Sequence, residues 1–292
     1  MTVHSTQSKI DYESYLNKQE RRTDRLDRHR IEDLAALLDA DVDAIAPNGI
    51  LPPLAQWYYF NAWARESELG EDGHPRRGGF MPPITLPRRM FAGGRMTFRA
   101  PLKLDEPVER VATIAAIKEK TGASGELVFV TVRHEIFGSA GLAIEEEQDI
   151  VYRSGASGAP AKETAEPTPH ALTPDAFVKR IHADPVMLFR FSALTSNGHR
   201  IHYDRTYATE VEGYPGLVIH GPLQAVLLAD LVREKLGRPL RTFSFQARRP
   251  LFDTSAFDCA VRAVENGADL MTLDLAGNVC MKASAGFMPP AA

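Results

Sequence analysis

The stretch Phe191-Ser-Ala-Leu-Thr-Ser-Asn-Gly-His-Arg-Ile-His-Tyr-Asp204, followed by Tyr214-Pro-Gly-Leu-Val-Ile-His-Gly-Pro222, decides how the chain is read. The first segment crowds Asn197, His199, Arg200, His202 and Asp204 into one irregular run. The second has the Pro and Gly of a tight turn, a short apolar strand, and a His-Gly pair that opens an apolar helix, about Pro222 to Leu236. Polar groups able to hold a water, beside a helix start able to hold an oxyanion, are what hydration of an unsaturated thioester requires.

Outward from that motif, the spacing predicts strands at Arg241–Ala247, Ala256–Glu265, Asp269–Ala276 and Cys280–Gly286, with turns at Asn266-Gly267 and Gly277-Asn278. Before it, Asp175–Ile181 reads as a short helix and Pro185–Ser192 as apolar and extended. Residues 154–173 are rich in Gly, Ala and Pro without apolar periodicity, and read as an exposed linker. The chain then divides into an N-terminal unit, 1–153, and a C-terminal unit, 174–292. In the first unit, Ile31, Leu34, Ala35 and Leu38 sit at helical spacing within Asp27–Leu38. Gly49–Ala64 places prolines before an apolar, aromatic run and reads as a buried helix. Strands follow at Arg95–Phe98, Val108–Lys118 and Leu127–Phe137, the last two joined by Gly-Ala-Ser-Gly. Each unit thus reads as a buried helix followed by an antiparallel sheet. The Gly78-Gly79 and Gly93-Gly94 pairs form no phosphate-binding fingerprint and read as turns.

The 292 residues carry a net charge of −4, which gives no support for nucleic-acid or general membrane-surface binding. Cys259 and Cys280, the only cysteines, lack a metal or redox spacing, so a reducing cytoplasm is the expected compartment. No apolar run is long enough to span a bilayer, and the first residues lack the apolar core of a secretory signal.

The motif, with Met81–Gly94, Leu127–Glu135, Asp149–Arg153 and Phe243–Asp253, resembles the MaoC-like, R-specific enoyl-thioester hydratases. Within them it is most similar to the mesaconyl-C4-CoA (3-methylfumaryl-CoA) hydratases and the type 2 hydroxyacyl-thioester dehydratases. The resemblance implies an α+β double hot-dog, each half a long helix wrapped by a curved antiparallel sheet, with the first half degenerate. It implies an acyl-CoA hydratase, with mesaconyl-C4-CoA to citramalyl-CoA the specific expectation. Dehydration of an R-3-hydroxyacyl thioester is the near alternative. A hot-dog thioesterase and a non-catalytic acyl-CoA binder stay open as other classes. No metal or cofactor beyond the coenzyme A of the substrate is implied, and pairing into a homodimer stays open. One departure stands out. Where the broader family reads Gly-Asp-x-Asn-Pro-x-His with Asp and His as its catalytic pair, this chain has Asn197, His199 and Arg200, and only His202 stays in register.

His202 is the candidate base, since an imidazole of pKa ~6.5 takes and returns protons near neutrality. Asn197 can orient water, and His199 is a catalytic or a structural loop histidine. Backbone donors around His220, Gly221 and Leu223 form the natural oxyanion site. Arg88, Arg89, Arg248 and Arg249 are candidates for coenzyme A phosphates or a substrate carboxylate, and Arg200 for a substrate carboxylate. His199 and His202 could pair on a metal, but the local pattern marks no third ligand.

Overall fold

The computed structural model describes residues 11–122, 125–154 and 170–289. Among the described residues, ten antiparallel strands form one sheet in the order β1-β3-β4-β5-β2-β7-β10-β9-β8-β6. In the first half these are β1 (Gln19–Arg25), β2 (Arg88–Phe98), β3 (Pro107–Gly122), β4 (Gly125–Gly138) and β5 (Gly141–Arg153). The second half supplies β6 (Phe177–Ile181), β7 (Leu240–Ala247), β8 (Phe257–Val264), β9 (Gly267–Leu273) and β10 (Val279–Phe287). Read from each outer edge inward, both halves run first, third, fourth, fifth, second strand, and they meet at β2 and β7. Apart from a 3-10 turn at Glu13–Tyr15, the helical segments of each half lie between its first and second strands, which is the order of a double hot-dog.

The leading strands are where sequence reading and structure part. β1 forms where the sequence predicts no element, and β6 replaces the helix expected over Asp175–Ile181. Both are edge strands dense in charge, and charged edges blunt pairing with other chains while hiding the apolar alternation that marks an inner strand. The segment Pro185–Ser192, read as extended, is helix α3 (Pro185–Leu194). Its N-cap Asp184 accepts from the Met187 amide at 2.8 Å, and Pro185 occupies the first turn, where it costs no hydrogen bond. The long helix expected over Gly49–Ala64 shrinks to a 3-10 turn at Ala55–Tyr58. Left-handed backbone at Leu54 (φ 70°) and Phe60 (φ 62°) stops it on both sides. Its aromatic residues are nonetheless core: Tyr58 and Tyr59 are wholly buried.

The Asp27–Leu38 reading stands as helix α1 (Arg28–Leu38), with Asp27 capping the His29 amide. A four-residue helix, α2 (Val42–Ile45), follows it. Gly93-Gly94 is not a turn but the middle of β2, at the seam with β7. A Cβ on Gly93 would lie 2.6 Å from the Phe245 carbonyl oxygen, so glycine lets the two central strands approach. Helix α4 (Gly221–Leu236) is the one long helix among the described residues and packs on the second half's strands. Leu223, Ala225, Leu228 and Leu231 are fully buried, burial on several faces that accounts for its nearly continuous apolar run. Of the linker expected over 154–173, residues 155–169 lie outside the described residues. No described helix is long and apolar enough to cross a membrane.

Candidate active site

The chain leaving α3 turns sharply through Ser196, whose φ is 50°. The Asn197 side-chain oxygen accepts the His199 amide at 3.1 Å, a local turn that leaves the Asn197 NH2 as the group able to donate outward. A short 3-10 turn, Arg200–His202, then buries His202 to 8 % exposure. The His202 Nδ1 lies 2.7 Å from the Val218 carbonyl oxygen. A carbonyl can only accept, so Nδ1 carries the proton and Nε2 keeps the lone pair. The sequence thereby fixes a tautomer suited to a base.

Val218 belongs to the apolar run before α4. Asp253, with its side chain almost wholly buried, accepts the Leu217 amide at 2.9 Å and pairs with Arg205, holding that run in place. A Cβ on Gly216 would lie 2.6 Å from the same carboxylate, so the Pro-Gly turn is needed for the approach. The run ends at His220, the N-cap of α4, and the rings of His202 and His220 stack at 3.7 Å and 19°. The hydratase-like motif and the helix start are therefore side by side. No side chain caps the first turn of α4, and Pro222 brings no N–H, leaving Gly221 and Leu223 to present the first amides. The His220 Nε2 is 2.9 Å from the Ser192 hydroxyl, so its imidazole is engaged with α3 while its position in the chain sets the helix entry.

The first half supplies two groups that sequence reasoning missed. Asp72 and His74 come from the loop Gly70-Glu-Asp-Gly-His-Pro75, and the His74 ring lies 4.3 Å from that of His199. The Asp72 Oδ2 is 3.2 Å from the His74 Nδ1. The only local signal is a His and an Asp inside a Gly/Pro loop, and no spacing rule links them to a motif in the other half. Two contacts bind that loop to the motif: the Arg200 amide donates to the Asp72 carbonyl at 2.9 Å, and Gly73 packs on Gly198. Gly73 has φ +84°, and a Cβ there would lie 2.0 Å from the Gly198 carbonyl oxygen. Gly73→Ala is therefore expected to cost roughly 1–3 kcal/mol and to depress turnover, read by thermal melting and assay together. An unchanged melting temperature would mean the loop and motif are not in contact.

The candidate arginines separate. The Arg200 guanidinium is occupied by Asp204 (2.7 and 2.9 Å) and by the Glu71 carbonyl (3.1 Å). The carboxylate it holds is one of this chain's own. Arg88 donates to the Glu212 carbonyl at 3.1 Å and lies over Tyr214. Arg248 and Arg249 follow β7 and are tied through their amides to the Cys280 carbonyl. Because β2 and β7 are antiparallel, all four arginines sit at one end of the central strands. Arg89 has no ion-pair partner among the described residues, and its charge holds down the basicity of both His74 and His199.

Burial dominates the electrostatics. It lowers His199 and His202 to about 3, with the neighbouring His74 and His199 rings respectively adding to the effect. It lowers His220 well below the ordinary imidazole range, and His134 in β4 to about 3. Burial also lowers His74, against the upward pull of Asp72. The Asp72 carboxyl is pushed up by burial, but hydrogen bonds from the His74 ring and amide outweigh that and hold it well below its usual range. A histidine whose folded pKa is depressed binds fewer protons than the unfolded chain, so its stabilisation is complete above ~6.5 and drains as pH falls toward about 3. Melting temperature is expected to fall steadily from pH 7.5 to 5; a flat profile would show that these rings ionise in place.

Asp72, His74 and His199 also form the one group among the described residues whose ligand atoms, all within 4.8 Å of one another, could surround a metal. The third ligand absent from the local pattern is thus brought in by the fold, to His199 rather than to His202. A cation there would break the Asp72–His74 contact and face the charges of Arg77 and Arg89.

The family model for type 2 hydroxyacyl-thioester dehydratases matches residues 54–253, spanning the Asp72 loop, the motif and the start of α4. The chain belongs to that family. A relative, the mesaconyl-C(4)-CoA hydratase of Chloroflexus aurantiacus, is 47 % identical over 265 residues, 90 % of this chain and 93 % of that protein. Another, the mitochondrial type 2 hydroxyacyl-thioester dehydratase of Schizosaccharomyces pombe, is 27 % identical over 77 % of this chain and 82 % of its own. A Mycobacterium tuberculosis protein described as a double hot-dog superposes with a TM-score of 0.57 at 8 % identity, covering 94 % of this chain and 96 % of that one, which speaks for the fold alone.

Proposed function

We propose that this dehydratase-family chain is a hydro-lyase that adds water reversibly across the double bond of an α,β-unsaturated acyl-CoA, with mesaconyl-C4-CoA, giving citramalyl-CoA, as its substrate. The observation that carries the reading is the junction of His202 with the start of α4, where a neutral imidazole of fixed tautomer lies against the N-cap of an uncapped helix. His202 Nε2 takes a proton from water as the oxygen bonds to Cβ. The electron pair moves to the thioester oxygen, and the Gly221 and Leu223 amides stabilise that enolate in the field of α4. Asn197 donates through its NH2 to the water or the thioester. Arg89 holds the distal carboxylate of the acyl group, and Arg248, Arg249 and Arg88, at the same end of the sheet, form the positive rim toward which coenzyme A phosphates are drawn. The 47 % identical relative supports the dicarboxylic substrate by its name. No metal or redox cofactor enters this scheme. Residues 1–153 and 174–292 act as two halves sharing one site, and two buried cysteines without a metal or redox spacing suit a reducing cytoplasm.

A second reading, thioester hydrolysis, draws on Asp72, a carboxylate brought to the site from the other half. Mesaconyl-C4-CoA, crotonyl-CoA and a saturated acyl-CoA, assayed in parallel for loss of the conjugated absorbance and for free thiol, separate the two. Loss of absorbance without thiol, fastest for mesaconyl-C4-CoA, is the expected result. Thiol release from the saturated ester would replace the hydratase reading.

A further inference from the structure

Hydration needs two proton transfers, and His202 is the one imidazole of the motif that lies against the start of α4 as a base. The carboxylate that the broader family's pattern places at the position of Asn197 is missing, and an amide cannot take or give a proton at neutral pH. The fold brings another carboxylate to the motif from the other half, beside His74 rather than at Asn197. Asp72 accepts from the His74 amide at 3.0 Å and lies 3.2 Å from its Nδ1, which turns the Nε2 edge of that ring away from Asp72. The His199 ring lies between, 4.3 Å from that of His74 and 5.4 Å from that of His202. Three imidazoles thus run in series from the base to a carboxylate contributed by the other half of the chain.

We infer that His74, oriented by Asp72, is the second proton-transfer group of this site and delivers the proton to Cα. The inference rests on the hydratase reading. In hydration, His202 Nε2 takes one proton from water while the hydroxyl oxygen bonds to Cβ and the π pair moves through Cα onto the thioester oxygen. That proton passes across His199 to His74 Nε2. The imidazolium so formed is balanced by the Asp72 carboxylate. As the enolate collapses, His74 gives the proton to Cα, and all groups return to their starting states. One water is consumed, with no oxidant, reductant or metal. The reverse path takes the Cα proton onto His74 and returns it to the leaving hydroxyl through His202. Asp72 is a positioning residue in this scheme, since it acts only through His74.

The test uses the full chain with three substitutions: His74→Gln, Asp72→Asn and His202→Ala. Thermal melting and binding of a saturated acyl-CoA monitor the fold. His74→Gln is expected to lower kcat by roughly 10²–10⁴ with little change in KM. Asp72→Asn is expected to lower it by roughly 10–100 and, because the imidazolium loses its counter-charge, to move the acid limb of the dehydration profile to lower pH. The charged or titratable groups facing His74 are Asp72, Arg77, Arg89, His199 and His202, and the last four remain in that variant. Should His74→Gln fail to fold, the Asp72→Asn profile alone decides. Near-normal turnover in His74→Gln, or an unmoved acid limb in Asp72→Asn, overturns the inference while leaving the hydratase reading intact if His202→Ala is inactive. Turnover lost on dialysis against a chelator and restored by zinc also overturns it, in favour of a metal at Asp72, His74 and His199. A wild-type chain that hydrates no enoyl-CoA removes both.

Discussion

His202→Ala is expected to lower hydration of mesaconyl-C4-CoA by roughly 10²–10⁴ while the protein stays folded. The size follows from what the ring alone supplies. Its Nδ1 is committed to the Val218 carbonyl, so the lone pair on Nε2 cannot be replaced by rotating another nitrogen into place. His220 stacks on it but already faces the Ser192 hydroxyl, and burial keeps that ring neutral. What survives the substitution is the enolate stabilisation from α4, together with substrate positioning. The loss should therefore fall on kcat rather than KM. Deleting the ring also leaves the Val218 carbonyl without its donor, a stability cost of roughly 1–3 kcal/mol that melting would register. His202→Gln keeps an N–H able to reach that carbonyl and separates the two effects. Turnover near wild type in either variant would remove His202 as the base.

Arg89→Gln is expected to cost roughly 10²–10³ in kcat/KM for mesaconyl-C4-CoA and only a few-fold for crotonyl-CoA. The difference is the carboxylate that only the first acyl group carries. Truncating one partner of a hydrogen-bonded charge pair costs roughly 2–5 kcal/mol, because the other charge is left buried without a counter-ion. Arg88 cannot substitute, being held by Glu212 and Tyr214, and Arg200 is filled by Asp204. Arg89→Lys should recover part of the loss, since an ammonium keeps the charge without the planar fork. Equal losses on the two substrates would move Arg89 from the acyl end to general electrostatics around His74 and His199.

Much of this was legible in the chain itself. The inner strands β3, β4, β7 and β8 alternate or carry β-branched residues, and α4 announces itself through a Pro at its start and a continuous apolar run. Edge strands were not legible: β1 and β6 carry charge where alternation would be read. Strand β5 was equally hidden, because Glu145, Glu146 and Glu147 sit in its middle. The buried Glu146 is met by Gln56, Trp57 and Gln148, a compensation that exists only once the chain has folded. The Gly49–Ala64 segment misled for a related reason. An aromatic run with prolines ahead of it fits a helix, whereas left-handed Leu54 and Phe60 are conformations tertiary packing imposes. At the site, His202 and its helix could be placed from contiguous residues. Asp72 and His74 could not, because their partnership with His199 is made by folding one half onto the other.

The mirrored strand order invites the thought of two equivalent binding events, one per half. The short turn at Ala55–Tyr58 argues otherwise. Where the second half offers open amides at the head of a long helix, the first offers α1, whose His29 amide is already taken by Asp27, and the single-turn α2. Calorimetric titration with a non-reacting acyl-CoA should accordingly saturate at a stoichiometry of one ligand for every polypeptide.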